Sequence, residues 1–169
     1  MKVRLRNMSL QEFEAFREYS TNDYAKDLMK DQNLSPENAL EQAVTEFADM
    51  LPEGIKTKDH SLMMIEDEDS QKNVGIIWYL YEITEGTKQV FLNDLLIYQE
   101  ERRKGYARAA LSEMVHNAAE DGCRQSIIYV WKHNPPGVNL YRKCGYVTFR
   151  ELEGGMYMRK EIGGNELSL

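Results

Sequence analysis

Where an amphipathic helix should open on an acid or a small capping side chain, this sequence places Arg102-Arg103-Lys104-Gly105. A helix start carries about half a unit of positive charge, so cations beside it are unfavourable unless an anion joins them. It also leaves backbone N–H groups without partners, which makes it a natural anion site. A pyrophosphate there reconciles the two. Arg102, Arg103 and Lys104 become favourable, and Gly105 lets the backbone come close. The plain alternative is a solvated basic turn. "RRKGYA" lacks the glycine spacing and the terminal Gly-Lys-Ser/Thr of a Walker A loop, and it is not a dinucleotide fingerprint. The cluster stands on an acidic background of net charge −7 and pI about 5.1. General nucleic-acid binding is therefore disfavoured, because phosphate binding needs a positive field.

The elements that must hold this cluster follow from spacing. At 169 residues, 42% hydrophobic and 29% charged, the chain suits one soluble domain with a sizeable core. No apolar run approaches a membrane span, and "MKVRLRNMSL" alternates like a strand rather than forming a leader. Cys123 and Cys144 match no metal spacing, so they read as reduced thiols of a cytoplasmic protein without a metal. Ser9 and Glu12 form a capping box before a helix carrying Phe13, Phe16, Tyr24 and Leu28. Ser35 and Pro36 start a second helix with Leu40, Val44 and Phe47 as its apolar positions. "HSLMMIED", "VGIIWYLYEI" and "QVFLNDLLIY" read as strands, the last two joined as a hairpin through "TEGTK". Ala107–Asp121 is a helix with a stripe at Ala107, Ala110, Leu111, Met114, Val115 and Ala118, ended by Gly122. "SIIYVW" reads as a buried strand parallel to its neighbour across that helix. A short helix in "GVNLYRKCGY" and the strands "YVTFRE" and "MYMRKEI" complete β-α-α-β-β-β-α-β-α-β-β, a mixed α/β order. One domain is expected over residues 1–162, with a polar tail at 163–169.

Within this frame the sequence resembles a family. "RRKGYA" fits Gln/Arg-x-x-Gly-x-Gly/Ala, the acyl-coenzyme A signature of the GNAT superfamily of N-acetyltransferases. Asn134 and Tyr141, within "NPPGVNLYRKCGY", resemble that family's second conserved stretch, in the expected order. Gly137 stands where alanine is usual, Gln99 where proline is common, and the double proline is atypical. The resemblance implies a central sheet splayed between two parallel strands and flanked by helices. The splay would lie between the strand ending near Ile97 and the strand ending near Trp131. Pro135 and Pro136 offer a reason, since they donate no N–H and hold the preceding residue extended, so pairing should stop after Lys132–Asn134.

The resemblance also implies roles. Acetyl-coenzyme A would be the cosubstrate, its pyrophosphate on Arg102, Arg103, Lys104, Gly105, Tyr106 and Ala107. Its pantetheine arm would bond to the main chain around Ile97, with Asn139 adding a contact and Asn134 either bonding that arm or acting in catalysis by orienting the acceptor. Tyr141 would be the acid that protonates the leaving thiolate. An ordinary phenol near pKa 10 gives its proton to a thiol near 8.5 at a cost of about 2 kcal/mol. Glu82 and Asp94 are the candidate bases for the incoming amine, although each taken alone reads more simply as a surface residue on the solvent-facing side; among the histidines His133 adjoins Asn134. The acceptor would be a small-molecule amine or a peptide N-terminus. The acidic stretch before residue 55, with Tyr19 and Tyr24, suggests a cationic one. A different reading keeps the fold but makes it a non-catalytic acyl-coenzyme A sensor or interaction domain; Asn134 and Tyr141 together favour the enzyme. No nucleic-acid or membrane partner is expected.

Overall fold

The computed structural model describes residues 1–163; the tail expected at 163–169 lies, from 164 onward, outside the described residues. Contacts divide the chain into two compact units, Met8–Lys58 and the remainder.

The Met8–Lys58 unit is a helix pair. In α1 (Leu10–Gln32) the capping box forms as the sequence requires: Ser9 Oγ accepts the Glu12 N–H at 3.1 Å, and Glu12 Oε2 accepts the Ser9 N–H at 2.7 Å. In α2 (Pro36–Met50) Ser35 caps the start by accepting the Asn38 N–H. Ala25 and Leu28 of α1 pack on Ala39 and Ala43 of α2, and Phe13 and Phe16 meet the Phe47 ring. The expected inward face of α2 is corrected here. Leu40 and Val44 are exposed, because the small side chains of Ala39 and Ala43 let the two helices approach on the neighbouring stripe.

The second unit is one mixed seven-stranded sheet in the order β1-β2-β3-β4-β5-β7-β6. Its strands are β1 (Val3–Asn7), β2 (His60–Asp67), β3 (Asn73–Thr84), β4 (Thr87–Ile97), β5 (Gln125–Trp131), β6 (Val147–Glu151) and β7 (Gly155–Glu161). All neighbours are antiparallel except β4 and β5, which are joined by α3 (Tyr106–Glu120) and run parallel as expected. α4 (Pro135–Lys143) connects β5 to β6. The core gathers Ile77, Val90 and Leu92 of the sheet with Ala110, Leu111 and Met114 of α3, and with Val138 and Tyr141 of α4. Among the described residues no helix is long and apolar enough to cross a membrane, and no group of His, Cys, Asp or Glu could hold a metal. Cys123 and Cys144 are both free thiols.

Candidate functional site

Two strands part in the middle of the sheet. β4 and β5 pair from Gln89↔Gln125 to Leu92↔Ile128 and no further. Yet β4 continues to Ile97 against β3, and β5 continues to Trp131 against β7. β4 itself places the parting. Tyr79 pairs with Leu92 and Trp78 with Asp94, which leaves Asn93 as an extra residue. Such a bulge bends its strand and strengthens the local twist, carrying the rest of β4 away from β5. The prolines, expected to end this pairing, come too late in the chain. They form the first turn of α4 instead, where their missing N–H groups are not needed.

The bulge also decides what faces the gap. Tyr98 N–H donates to Val74 O at 2.9 Å, and successive residues of an antiparallel strand turn their backbone groups to alternate sides. Asp94 and Leu96 therefore address β3, while Leu95 and Ile97 address the gap. Side chains alternate as well. Leu92, Leu95 and Ile97 pack with the core under α3, so Asn93 and Asp94 stand on the opposite face.

At the end of β4 the chain turns through Gln99–Glu101 into the cationic loop. Arg103 and Gly105 both have positive φ, 63° and 91°. Gly105 occupies the N-cap of α3 without a side-chain cap, and the first helical bond runs from Ala109 N–H to Gly105 O. The first-turn N–H groups and the positive end of the helix dipole are thus presented by a loop of exposed cations. The structure divides those cations in a way the sequence did not suggest. Arg102 Nε donates to Ile97 O at 3.0 Å, which ties the loop to the gap. Lys104 Nζ lies 2.9 Å from Glu101 Oε2, and Lys72 pairs with the other oxygen of the same buried carboxylate. Tyr106 is buried and donates through its hydroxyl to Asp67 Oδ2 at 2.9 Å, so its side chain anchors α3 to the end of β2. Asp67 in turn accepts from Ser70. Glu101, Lys72 and Asp67 escaped sequence reading; the one available signal was the three-residue spacing of Glu101 and Lys104.

The two lysines hold the Glu101 carboxyl below the usual carboxylate range. A lowered pKa contributes stability that is present above the unfolded value and lost as pH falls through the folded one. Glu101→Gln should therefore lower the melting temperature at neutral pH. Its deficit against wild type should persist down to the ordinary carboxylate range and close only below it. A pH-independent deficit in calorimetry would mean that lost packing, not the ion pairs, is responsible.

Tyr141 lies on α4 within the core that α3 shares, its ring 6.0 Å from that of Tyr146. Tyr146 is itself held by a 2.7 Å hydrogen bond with Ser126. Burial first, and then the Asp94 carboxylate, push the Tyr141 phenol above its ordinary value; the unperturbed phenol expected from sequence is thereby corrected. Asp94 and Tyr141 thus approach the same parting from opposite faces of the sheet. Asn134 is the N-cap of α4, its Oδ1 accepting the Gly137 N–H at 3.2 Å. A Cβ at position 137 would sit 2.6 Å from Asn134 Nδ2, so a larger residue there requires the Asn134 amide to shift. Asn139 is exposed on the same helix, and exposed His133 stacks on Trp131. Glu82 lies elsewhere. It pairs with Gln89 near the hairpin end, accepts from the Gln89 amide at 2.6 Å, and is chained through it to Gln125.

The sequence model of the acetyltransferase (GNAT) family matches residues 14–146. The uncharacterized N-acetyltransferase YycN of Bacillus subtilis (strain 168) is 30% identical over 146 residues, which are 86% of this chain and 93% of that protein. The YycN crystal structure superposes with a TM-score of 0.84 at 28% identity, covering 90% of this chain and 97% of the other. PaiA N-acetyltransferase from Thermoplasma acidophilum, in complex with coenzyme A, shares the fold with a TM-score of 0.70 at 17% identity over 95% and 99% of the two chains. So does spermidine N-acetyltransferase from Vibrio cholerae, in complex with coenzyme A and spermine, with a TM-score of 0.68 at 17% identity over 95% and 96%. With a parted parallel pair, a cationic loop at the following helix and a family match over most of its length, the chain belongs to the acetyltransferase (GNAT) family.

Proposed function

We propose that the protein transfers an acetyl group from acetyl-coenzyme A to a primary amine by direct attack. The observation that carries this reading is the parting itself, with a carboxylate on one face and a phenol on the other. The pyrophosphate takes the uncapped start of α3, on the N–H groups of Gly105, Tyr106 and Ala107 and the side chains of Arg102 and Arg103. Lys104, drawn to Glu101, adds field rather than a direct bond. The pantetheine arm lies in the gap like an added strand, on the backbone groups of Leu95 and Ile97, with Asn134 and Asn139 at its α4 side. An N–H of the same β4 edge polarises the thioester carbonyl.

The amine arrives on the Asp94 face and gives up a proton to that carboxylate, directly or through water. Nitrogen attacks the carbonyl carbon, the C–S bond breaks, and the departing sulfur takes the Tyr141 proton. Because the phenol is held above its ordinary value, transfer to a thiolate is steeper than the about 2 kcal/mol of an unperturbed pair. Tyr141 contributes first as a hydrogen-bond donor to the sulfur as charge builds. Glu82, held at the hairpin end, has no part in this scheme. The coenzyme A bound to the PaiA and spermidine N-acetyltransferase neighbours supports the cosubstrate.

Thiol release from acetyl-coenzyme A, measured with the full chain against a panel of polyamines, amino-acid amides and peptides, tests the reading. Release should depend on the added amine, with acetylated amine seen by mass spectrometry. Tight binding of acetyl-coenzyme A without turnover on any amine would leave a non-catalytic acyl-coenzyme A sensor.

A further inference from the structure

We infer that the preferred acceptor is an acidic peptide N-terminus, an amine at one end and an anion at the other, read by a wall of rings and arginines on the sheet. This rests on the acetyltransferase reading above. Ile128 and Val130 of β5 enter the core under α3, so Tyr129 and Trp131 lie on the opposite face, the one that carries Asp94. Past Ile128 the β5 edge borders the gap. From there a row of rings crosses the sheet. Trp131 meets Tyr129 edge-on at 5.2 Å, Tyr129 meets Tyr157 of β7 at 5.0 Å, and Tyr157 meets Phe149 of β6 at 6.2 Å. The row is partly open to solvent, with Phe149 44% exposed. Rings left partly open in one row offer a packing surface for a peptide laid across them.

Its far end is cationic. The Arg150 guanidinium lies 5.9 Å from the centre of the Tyr157 ring, and that of Arg159 lies 5.0 Å from Phe149. Arg159 also pairs with Glu161 at 3.6 Å on the same strand, so an incoming anion falls to Arg150. In a chain of net charge −7, residues 124–161 still hold seven Lys and Arg against three Glu. Neighbouring strands are spaced by about 4.8 Å, so β6 is about 10 Å from β5. A third ordinary step to β4 would make about 14 Å, and the widened gap at Asp94 lengthens the span to at least about 15 Å, four residues or more of extended peptide at about 3.4 Å each. A peptide amine on Asp94 therefore carries its fourth side chain to Arg150, with the rings packing the residues between. A polyamine of that length sets a second cation against the arginine. The acidity before residue 55 suggested a cationic acceptor; the wall that shares a face with Asp94 confines the positive charge to the reacting amine.

The test uses tetrapeptide amides with alanine first, tyrosine second and glycine third, differing only in glutamate, glutamine or lysine at the fourth position. The glutamate peptide should exceed the lysine peptide by about tenfold or more in kcat/KM, and R150E should invert that order with the melting temperature unchanged. If R150E unfolds, R150Q should abolish the preference instead. Equal rates across the three peptides, or turnover of spermidine but of none of them, overturns the inference and leaves the acetyltransferase intact. Failure to bind acetyl-coenzyme A in calorimetry removes both.

Discussion

Tyr141→Phe is expected to lower turnover by about 10²–10⁴-fold, the usual range for loss of a positioned general acid, with little change in acetyl-coenzyme A affinity. The ring survives the change, so its place in the core and its contact with Tyr146 are kept. What is lost is the hydroxyl proton that the proposed mechanism gives to the departing sulfur. Burial and Asp94 hold the wild-type phenol above its ordinary value. The hydroxyl therefore stays protonated throughout the neutral range, and no limb of the wild-type pH profile there should belong to it. Rates should rise with pH as the amine loses its proton, in the variant as in the wild type, at a uniformly lower level in the variant. Thiol release under conditions where chemistry limits the rate is the measurement. Full turnover in the phenylalanine variant would assign Tyr141 to packing.

Gly105→Glu should reduce acetyl-coenzyme A affinity by more than about 100-fold, because it sets a carboxylate at the proposed pyrophosphate site and cancels the field of the helix start. Backbone strain complicates any change at this position. With φ at 91°, an L side chain costs about 1–2 kcal/mol, although a Cβ would meet only Met1 Sδ, at 3.6 Å. Gly105→Ala carries that strain without the charge and separates the two effects. Calorimetric titration should show a modest loss for alanine and near abolition for glutamate, both proteins remaining folded. Equal losses would make position 105 a matter of loop shape, and unchanged affinity in the glutamate variant would move the anion site elsewhere.

Local rules made most of the fold legible. The Ser9 and Ser35 caps, the alternating first strand and most of the apolar stripe of α3 are decided by neighbours in sequence, and they formed as read. The cationic loop was visible because it contradicted a local rule. The carboxylate beneath it was not, since Glu101 draws its meaning from Lys72, far away in sequence. The inward face of α2 was misread because alanine is a weak hydrophobic signal, yet small size is what close helix packing selects. The cause of the parting was also misplaced, on the conspicuous prolines. The core members of "VFLNDLLI" are Val90, Leu92, Leu95 and Ile97, one interval of three among intervals of two, but Phe91 and Leu96 are equally apolar and hide that rhythm in the sequence. Glu82 and Asp94 were indistinguishable as carboxylates in apolar strands. Only the register separates them, one beside the hairpin and one at the bulge.

The extra residue at Asn93 constrains how this gene can change. Remove it, and Leu92, Asp94, Leu95, Leu96 and Ile97 alternate regularly, each keeping its face and its β3 partner. What disappears is the bulge, and with it the bend that turns the end of β4 away from β5. A reading-frame-preserving deletion here therefore spares the core and closes the parting, whereas a single replacement of Asn93 leaves the parting in place. The segment should drift in letters across descendants while its length stays fixed, and insertions should collect instead at exposed turns such as Glu85–Gly86.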